Sequence, residues 1–357
     1  MKLFLRKILA ISAPVILLLI GVNYIGDAAR LFDPDYEKNM ASILLKGDFV
    51  TNISNYDERV FQKELIAGLE EAPNVLILGS SRTMLINKTC FPKKTVFNNS
   101  VSGATIEDVV ALYQMYKERG FFPEKIIVGV DPWLLNKNNQ QVRWKSIGSY
   151  YKKYHTKQSI EQDEGSAADK YAQILSLSYF QSSLANMPKV VSGALKPVQT
   201  KTRHNKTNTK ITDGSLVYGK SFRSASPSKI HARMTRSILD EMYSIEGFEE
   251  ISGAIWKEFC KFIEHLKSKH ISVEFFMCPY APLVFDKVEK EYPNVMKTER
   301  LVRSFGEEHN IKIHGSFDPY KIGFDETFFY DGMHCTEIGI KKILSPAKDV
   351  FEFQKQP

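Results

Sequence analysis

The sequence predicts an α/β fold in which helices cover both faces of a doubly wound parallel sheet, giving three layers. Two observations favour this class. Short runs of apolar residues alternate with longer segments whose apolar residues recur at helical spacing. The alternation stops near residue 140 and resumes after residue 246. We therefore expect one α/β domain, residues 73–357, with an insertion at residues 140–246.

The first half of the predicted sheet comes from three strands. Residues 74–78 form a continuous apolar run that ends at Gly79, as a strand buried on both faces would. Residues 95–98 and 125–130 are the next two strand candidates, and residues 104–119 between them carry apolar side chains on one helical face. The order strand, helix, strand over a short stretch is typical of parallel sheets.

The second half of the domain follows the insertion and repeats the alternation. A helix is predicted around residues 255–266, followed by a strand at residues 273–277. A helix at 295–309, a strand at 311–314 and a closing helix at 337–351 complete the pattern.

The insertion differs from the surrounding domain in its charge. Residues 196–236 contain ten basic residues and one acid, Asp213. Charges of one sign near a cleft steer polyanions, so we expect a lid or a glycan-facing surface, with a solvated loop as the alternative. Nucleic-acid binding is not expected because the segment has few interleaved aromatic residues and no recognised motif.

Residues 1–30 predict a membrane anchor. Three basic residues precede an uncharged apolar run at residues 8–25, which is about long enough to span hydrocarbon as a helix. A cleaved signal peptide is the alternative, although the run is longer than usual for a signal and contains Pro14. Positive charge holds the preceding end in the cytoplasm, so the following domain is expected outside. Residues 31–72 are then predicted to form a stalk and a first helix.

The four cysteines give no sign of a metal site. They lack the CxxC spacing of zinc motifs and have no histidines arranged around them, so neither a metal nor a cofactor is expected. Cys260 and Cys278 lie within apolar patterns and are expected to be buried.

Candidate site residues follow the predicted strands, because ligands of parallel α/β sheets bind at the carboxyl ends of the strands. Ser81 follows the first strand and Gly103 the second. A helix N-cap is the alternative role for Ser81. Asp331 and His334, before the closing helix, have a spacing that lets the carboxylate orient the imidazole toward a nucleophile. Together these residues predict a Ser–His–Asp triad.

This ordered set resembles the SGNH/GDSL hydrolase superfamily. The sequence VLILGSSR at residues 75–82 is similar to the first block of that superfamily, with Ser81 in the place of the nucleophile. Gly103 matches the glycine of the second block, and Asp331 and His334 match the C-terminal DxxH. The resemblance implies an SGNH-type, flavodoxin-like sheet and an acyl-ester enzyme whose oxyanion is held by the backbone N–H groups of Ser81 and Gly103.

One block departs from the family pattern. The family has an asparagine after the third strand that donates to the oxyanion, whereas this chain has Asp131, and an ionised carboxylate only accepts. The site could still stabilise an oxyanion in three ways. These are a protonated Asp131, a substitute amide at Asn99 or Asn136, and the charge of Arg82 at the substrate. A structural turn before Pro132 is the alternative role for Asp131.

The anchor and the degenerate middle blocks look like those of membrane-tethered proteins that act in O-acylation of envelope polysaccharides and teichoic acids, among them the alginate acetylation proteins and the D-alanine transfer protein. The resemblance implies an O-acyltransferase (O-acetylation) or an esterase acting on envelope polysaccharide or another acylated glycan. An integral-membrane acyltransferase is the expected partner, at the outer face of the cytoplasmic membrane. The alternative is a non-catalytic glycan-binding or scaffolding protein on the same core.

Overall fold

A parallel sheet forms the centre of the computed structural model, which describes residues 2–27, 35–156 and 196–345 except 241 and 243, with scattered positions between 180 and 190. Strands are numbered in chain order, and the five of this sheet are β2 Val75–Leu78, β3 Val96–Asn98, β4 Lys125–Gly129, β8 Ser272–Met277 and β9 Lys312–Gly315. Each lies within one residue of its predicted bounds at either end. The predicted α/β class is therefore confirmed.

The strand order of this sheet is β3-β2-β4-β8-β9, with every neighbouring pair parallel. The chain leaves β2 toward one side of the sheet for β3 and then crosses to the other side for β4. Such a reversal opens a crevice at the carboxyl ends of β2 and β4. All four residues of β2 are buried, and full burial of an apolar side chain of this kind contributes about 1.5–3 kcal/mol.

Helices pack against the sheet in a manner consistent with a three-layer α/β arrangement. They are α1 Lys2–Gly26, α2 Tyr36–Leu45, α3 Glu58–Gly68, α4 Ile106–Glu118, α5 Gly148–His155, α6 Lys220–Arg223, α7 Pro227–Leu239, α8 Gly253–Ser268, α9 Pro282–Glu291, α10 Pro293–Glu308 and α11 Glu337–Leu344. The predicted continuation of the closing helix beyond residue 345 lies outside the described residues.

A second sheet joins the insertion to the chain before the α/β core. Its order is β5-β1-β6-β7, where β1 is Phe49–Thr51, β5 Val198–Thr200, β6 Thr209–Lys210 and β7 Leu216–Val217. β1 pairs antiparallel with both β5 and β6. The first helix predicted within residues 31–72 is α3, whereas the expectation of a stalk before it is wrong for residues 36–57, because α2 and β1 are packed into the fold with buried apolar side chains.

The predicted apolar run at residues 8–25 lies within helix α1, with Pro14 inside it. Within the part of the chain that the structure describes, no helix is both long enough and apolar enough to cross a membrane.

Candidate active site

The turn after β2 is held close to the end of β4. A Cβ added at Gly79 would lie 3.0 Å from the Cα of Gly129 and 2.6 Å from Oγ1 of Thr83. Glycine at both strand ends therefore permits a close approach that any side chain would block. Oγ1 of Thr83 donates to the carbonyl oxygen of Ser80 at 2.8 Å, which closes the turn. Ser81 lies in this turn and is half-buried.

The structure brings Ser81, His334 and Asp331 into one line of hydrogen bonds. Ser81 Oγ lies 2.9 Å from His334 Nε2, and His334 Nδ1 lies 2.9 Å from Asp331 Oδ2. Asp331 Oδ1 also accepts from the backbone N–H groups of Met333 and His334 at 2.9 Å. The contacts predicted from the sequence are confirmed as geometry. Ser81 Oγ is bonded to the imidazole and caps no helix N-terminus.

Electrostatics in this loop favour the pair that Asp331 and His334 form. Burial alone would raise the pKa of Asp331, but His334 and two backbone N–H groups lower it overall. Burial alone would lower the pKa of His334, but the carboxylate of Asp331 raises it above its ordinary value. A more basic imidazole is a better acceptor for the proton of a serine hydroxyl.

Arg82 is buried beneath the site and is committed to protein partners. Its Nη1 donates to Asp131 Oδ1 at 3.1 Å, its Nε to the carbonyl oxygen of Met333 at 3.1 Å, and its Nη2 to the carbonyl oxygen of Cys278. Its guanidinium carbon lies 4.3 Å from the ring centroid of Tyr280. The hypothesis that Arg82 contacts substrate is wrong for this structure, because its side chain is enclosed. It joins the carboxyl ends of β4 and β8 to the loop that carries His334.

Asp131 is the carboxylate that this arginine accompanies. Burial raises the pKa of Asp131, although Arg82 and Ser80 act in the opposite direction. Its Oδ1 accepts from Arg82, so Asp131 serves as an acceptor in an ion pair rather than as a donor to an oxyanion. The negative charge of Asp131 is offset at the site, since the neighbouring guanidinium of Arg82 carries the opposite charge.

Neither substitute amide faces the site. The Nδ2 of Asn99 donates to Gln62 Oε1 at 2.6 Å, and its Oδ1 accepts from the hydroxyl of Tyr116 at 2.7 Å. The Nδ2 of Asn136 donates to the carbonyl oxygen of Ser244 at 2.8 Å. Both asparagines are buried, so the hypothesis that either is an oxyanion donor is wrong.

Gly103 lies in a turn that the preceding helix α3 holds in place. Its φ of 56° is in the left-handed region, which favours glycine. Arg59 donates to the carbonyl oxygen of Ser102 at 3.0 Å and to both oxygens of Asp108 at 2.8 and 2.9 Å. Gln141 donates to the carbonyl oxygen of Gly103 at 2.9 Å. The turn after β3 is thus fixed before any ligand binds.

Two backbone donors remain for an oxyanion. The N–H of Val101 donates to the carbonyl oxygen of Gly79 at 2.9 Å, which sets the turn carrying Gly103 beside the turn carrying Ser81. Neither the N–H of Ser81 nor that of Gly103 donates to another residue among those described. Free N–H groups in fixed turns are the donors that acyl transfer requires.

A cavity of about 360 Å³ lies beside His334 and is partly walled by the insertion. Asp331 and His334 line one side, and Arg233, Arg236 and Ser237 of α7 line another. No motif in the sequence places α7 next to His334. Its basic residues belong to the segment expected to form a lid or a glycan-facing surface.

An aromatic cluster completes the surroundings of the imidazole. The ring centroid of Tyr218 lies 6.1 Å from that of His334, and Tyr218 packs against Phe222 and Tyr330 at 5.1 Å each. Tyr218 and Phe222 come from the insertion. None of the three could be predicted from the sequence, because a single aromatic residue outside a recognised motif carries no positional signal.

Comparison with known proteins adds no further constraint on this site. No family model matches the chain, and no curated protein matches it. Among the described residues, no group of His, Cys, Asp and Glu is arranged to hold a metal ion.

Proposed function

We propose that this chain is an SGNH-type serine acyl-ester enzyme. The observation that carries the proposal is the line of contacts from Ser81 Oγ through His334 to Asp331. The strand order supports it, because counting the parallel strands along the chain gives 2-1-3-4-5, the order of flavodoxin-like sheets. Ser81 and Asp131 follow the two strands at which that order reverses.

The reaction begins when Ser81 Oγ attacks the carbonyl carbon of an acyl ester. Nε2 of His334 accepts the hydroxyl proton, while Asp331 holds the tautomer in which Nδ1 carries its proton. The N–H groups of Ser81 and Gly103 stabilise the oxyanion. His334 then gives its proton to the leaving alcohol, which leaves an acyl group on Ser81.

The second half of the reaction transfers that acyl group to an acceptor. His334 again takes a proton, now from a glycan hydroxyl or from water, and Ser81 is regenerated. We favour a glycan hydroxyl of the cell envelope, which makes the protein an O-acyltransferase, because a membrane tether suits an acceptor that lies in the envelope. Water as the acceptor gives an esterase.

Attachment to the outer face of the cytoplasmic membrane through residues 8–25 is part of the proposal. Several large apolar side chains of α1 are exposed, namely Val15, Ile16, Leu17, Leu18, Tyr24 and Ile25. A tether of this kind suits the handover of an acyl group from an integral-membrane donor. Protease added to intact spheroplasts should digest the domain, and full protection would contradict this topology.

An acidic envelope polymer is the expected glycan because the insertion is basic. Lys201 and Lys206 are exposed, whereas Arg203 pairs with Glu337 at 2.8 Å. Replacing both lysines by glutamate should weaken binding to such a polymer in low salt, since exposed charges are screened at high salt. Lys261 and Lys290, which are exposed on α8 and α9, provide a matched pair whose reversal should have less effect. Equal binding by all three proteins would contradict a glycan-facing insertion.

A non-catalytic glycan-binding protein is the second candidate. Asp131 favours it, because a carboxylate stands where the family has an amide donor, and the loss of one such donor typically lowers a rate about 10²-fold to 10³-fold. Labelling by a serine-reactive probe separates the two candidates, because a scaffold has no need of an activated serine.

The test is labelling of the purified chain by a fluorophosphonate, which reacts with activated serines. The probe should modify Ser81 in the wild type and should not modify the Ser81→Ala or His334→Ala variants, because both residues serve one proton transfer. Ser268→Ala is the matched control, since Ser268 is exposed at the end of α8, four residues before the amino end of β8, whereas the site lies at the carboxyl ends of the strands. Absence of labelling in the folded wild type would overturn the enzyme and leave the scaffold.

A further inference from the structure

Two buried cysteines meet directly behind the loop that carries His334. Cys278 follows the last residue of β8, and Cys335 follows His334. Their sulfur atoms are 3.5 Å apart, and each residue is 1% exposed. The other two cysteines, Cys90 and Cys260, are half-buried and have no thiol neighbour among the described residues.

The two sulfur atoms are in contact but are not bonded. A disulfide has an S–S length of about 2.05 Å, so the two atoms must approach by roughly 1.5 Å. Neither residue lies inside a helix or a strand ladder that would resist this approach. Cys278 lies in the segment after β8, and Cys335 lies between His334 and Thr336, the N-cap of α11, where it makes an isolated bridge with Phe329.

The surroundings also activate one of the two thiols. Burial alone would raise the pKa of the Cys278 thiol, but the hydrogen bond with Cys335 and the charge of Arg82 lower it to about 7. The thiolate is the form that attacks a disulfide. Cys278 is therefore the attacking group and Cys335 the resolving group.

We propose that Cys278 and Cys335 form an intrachain disulfide by exchange with a disulfide donor, and that this bond ties the His334 loop to the carboxyl end of β8. The donor is a small-molecule disulfide such as oxidised glutathione, or a protein dithiol oxidant. The Cys278 thiolate attacks one donor sulfur and releases the other as a thiolate. The Cys335 thiolate then attacks the sulfur of Cys278 and releases the second donor thiolate. The two protein thiols are oxidised and the donor is reduced, and the two protons that the protein thiols lose pass through solvent to the two released thiolates, which become thiols.

The bond would act on the site through chain connectivity. Asp331 and His334 lie within the four residues before Cys335. Arg82 already joins this loop to β8, because it donates both to the carbonyl oxygen of Met333 and to that of Cys278. The disulfide adds a covalent tie parallel to this hydrogen-bonded one. The proposal does not rest on the proposed enzyme activity, because the linkage is read by mass.

The test uses the full chain, purified in reductant and then exposed to oxidised glutathione, either folded or during refolding from urea. After denaturation and alkylation with iodoacetamide, two of the four thiols should be protected, and the non-reducing peptide map should link Cys278 to Cys335 with a mass lower by about 2 Da. The Cys90→Ser/Cys260→Ser double variant should form the same bond. Cys278→Ser and Cys335→Ser should not.

Three outcomes would overturn the proposal. They are four free thiols after both treatments, a linkage that includes Cys90 or Cys260, and a glutathione adduct on Cys278 that Cys335 does not resolve. Thermal unfolding supplies a second measurement. Reduction by dithiothreitol should lower the midpoint of the oxidised wild type and leave that of Cys278→Ser unchanged. A midpoint that rises on reduction would show a strained bond and contradict a tie that fixes the loop.

Discussion

Asp131 and Glu274 are both buried carboxylates on neighbouring strands, yet their pKa values shift in opposite directions. Asp131 follows β4, and Glu274 lies in β8, which pairs with β4. Burial raises the pKa of Asp131 by more than Arg82 and Ser80 lower it. Burial acts on Glu274 in the same sense, but His314 and Lys125 lower its pKa to about 2.

The difference comes from how the partners are shared. Glu274 binds Lys125 through one oxygen and His314 through the other, the latter at 2.7 Å. Asp131 receives one bond from Arg82, which also serves two backbone carbonyl groups. The fold therefore stabilises the ionised form of Glu274 but not that of Asp131. Buried charges that cost stability, such as that of Asp131, are expected at functional sites.

Asp331→Asn should have the largest effect of the four variants, and the effect should be on reactivity. Asp331 is a carboxylate like Asp131 and Glu274, but its partner is His334, the proposed base. An amide does not hold the imidazole in the required tautomer, so the rate of fluorophosphonate labelling should fall about 10³-fold to 10⁴-fold. The wild-type rate should fall as the pH drops through the raised pKa of His334, since only neutral imidazole accepts a proton. Without Asp331 this decline should move to lower pH. Glu274→Gln should leave the profile unchanged. Equal profiles for Asp331→Asn and the wild type would contradict the triad.

Arg82→Met should have the next largest effect, on stability. It leaves Asp131 buried without a cation and two carbonyl groups without donors, so the free energy of unfolding should fall by about 3–5 kcal/mol. Urea titration measures this quantity. Adding Asp131→Asn to Arg82→Met should restore part of the loss, because the unpaired charge is then gone. A double variant less stable than Arg82→Met would show that the hydrogen bond between Asp131 and Ser80 outweighs the cost of the unpaired charge.

Glu274→Gln should follow in size. A carboxyl whose pKa falls from about 4.5 to about 2 on folding stabilises the fold by about 3 kcal/mol at neutral pH. That stability is present above the pKa of the unfolded chain and is lost as the pH falls toward about 2. The urea midpoints of the wild type and Glu274→Gln should therefore converge in acid. A difference that persists at pH 2 would point to packing instead of charge.

Asp131→Asn should have the smallest effect on stability, within about 1 kcal/mol at neutral pH, because the guanidinium of Arg82 keeps two carbonyl acceptors and its contact with the ring of Tyr280. Because the pKa of Asp131 is raised in the fold, wild-type stability should fall as the pH rises from the ordinary pKa to the raised one. Asparagine removes that slope and still accepts from Arg82. The labelling rate should be preserved or raised. A labelling rate at least tenfold lower in a stable variant would show that the charge of Asp131 assists catalysis.

The parallel sheet and the contact between Asp331 and His334 could be predicted because their signals are local. Buried parallel strands such as β2 read as continuous apolar runs, and Gly79 marks where the run ends. Asp331 and His334 lie on one loop, so their spacing already implies contact.

The second sheet and the supports of the site could not be predicted because they depend on distant pairs. β6 and β7 have two residues each, too few to show a period. The sequence does not show that Arg82 is enclosed, since its partners Met333 and Cys278 offer only backbone carbonyl groups. The sequence also does not show that the amide of Asn99 is occupied, because its partner Gln62 lies on α3, far away in the chain.

The pairing of β1 with β5 sets an order of events during synthesis. Phe49 pairs with Thr200, so β1 emerges from the ribosome long before its partner is made. At about 5–20 residues per second, the wait for the intervening chain is roughly 8–30 s. During that time α2 and α3 can pack on each other and α3 can pack on α4, while the edge of β1 stays open to other nascent chains. Its length of three residues limits this hazard, since very short edges are poor templates for aggregation.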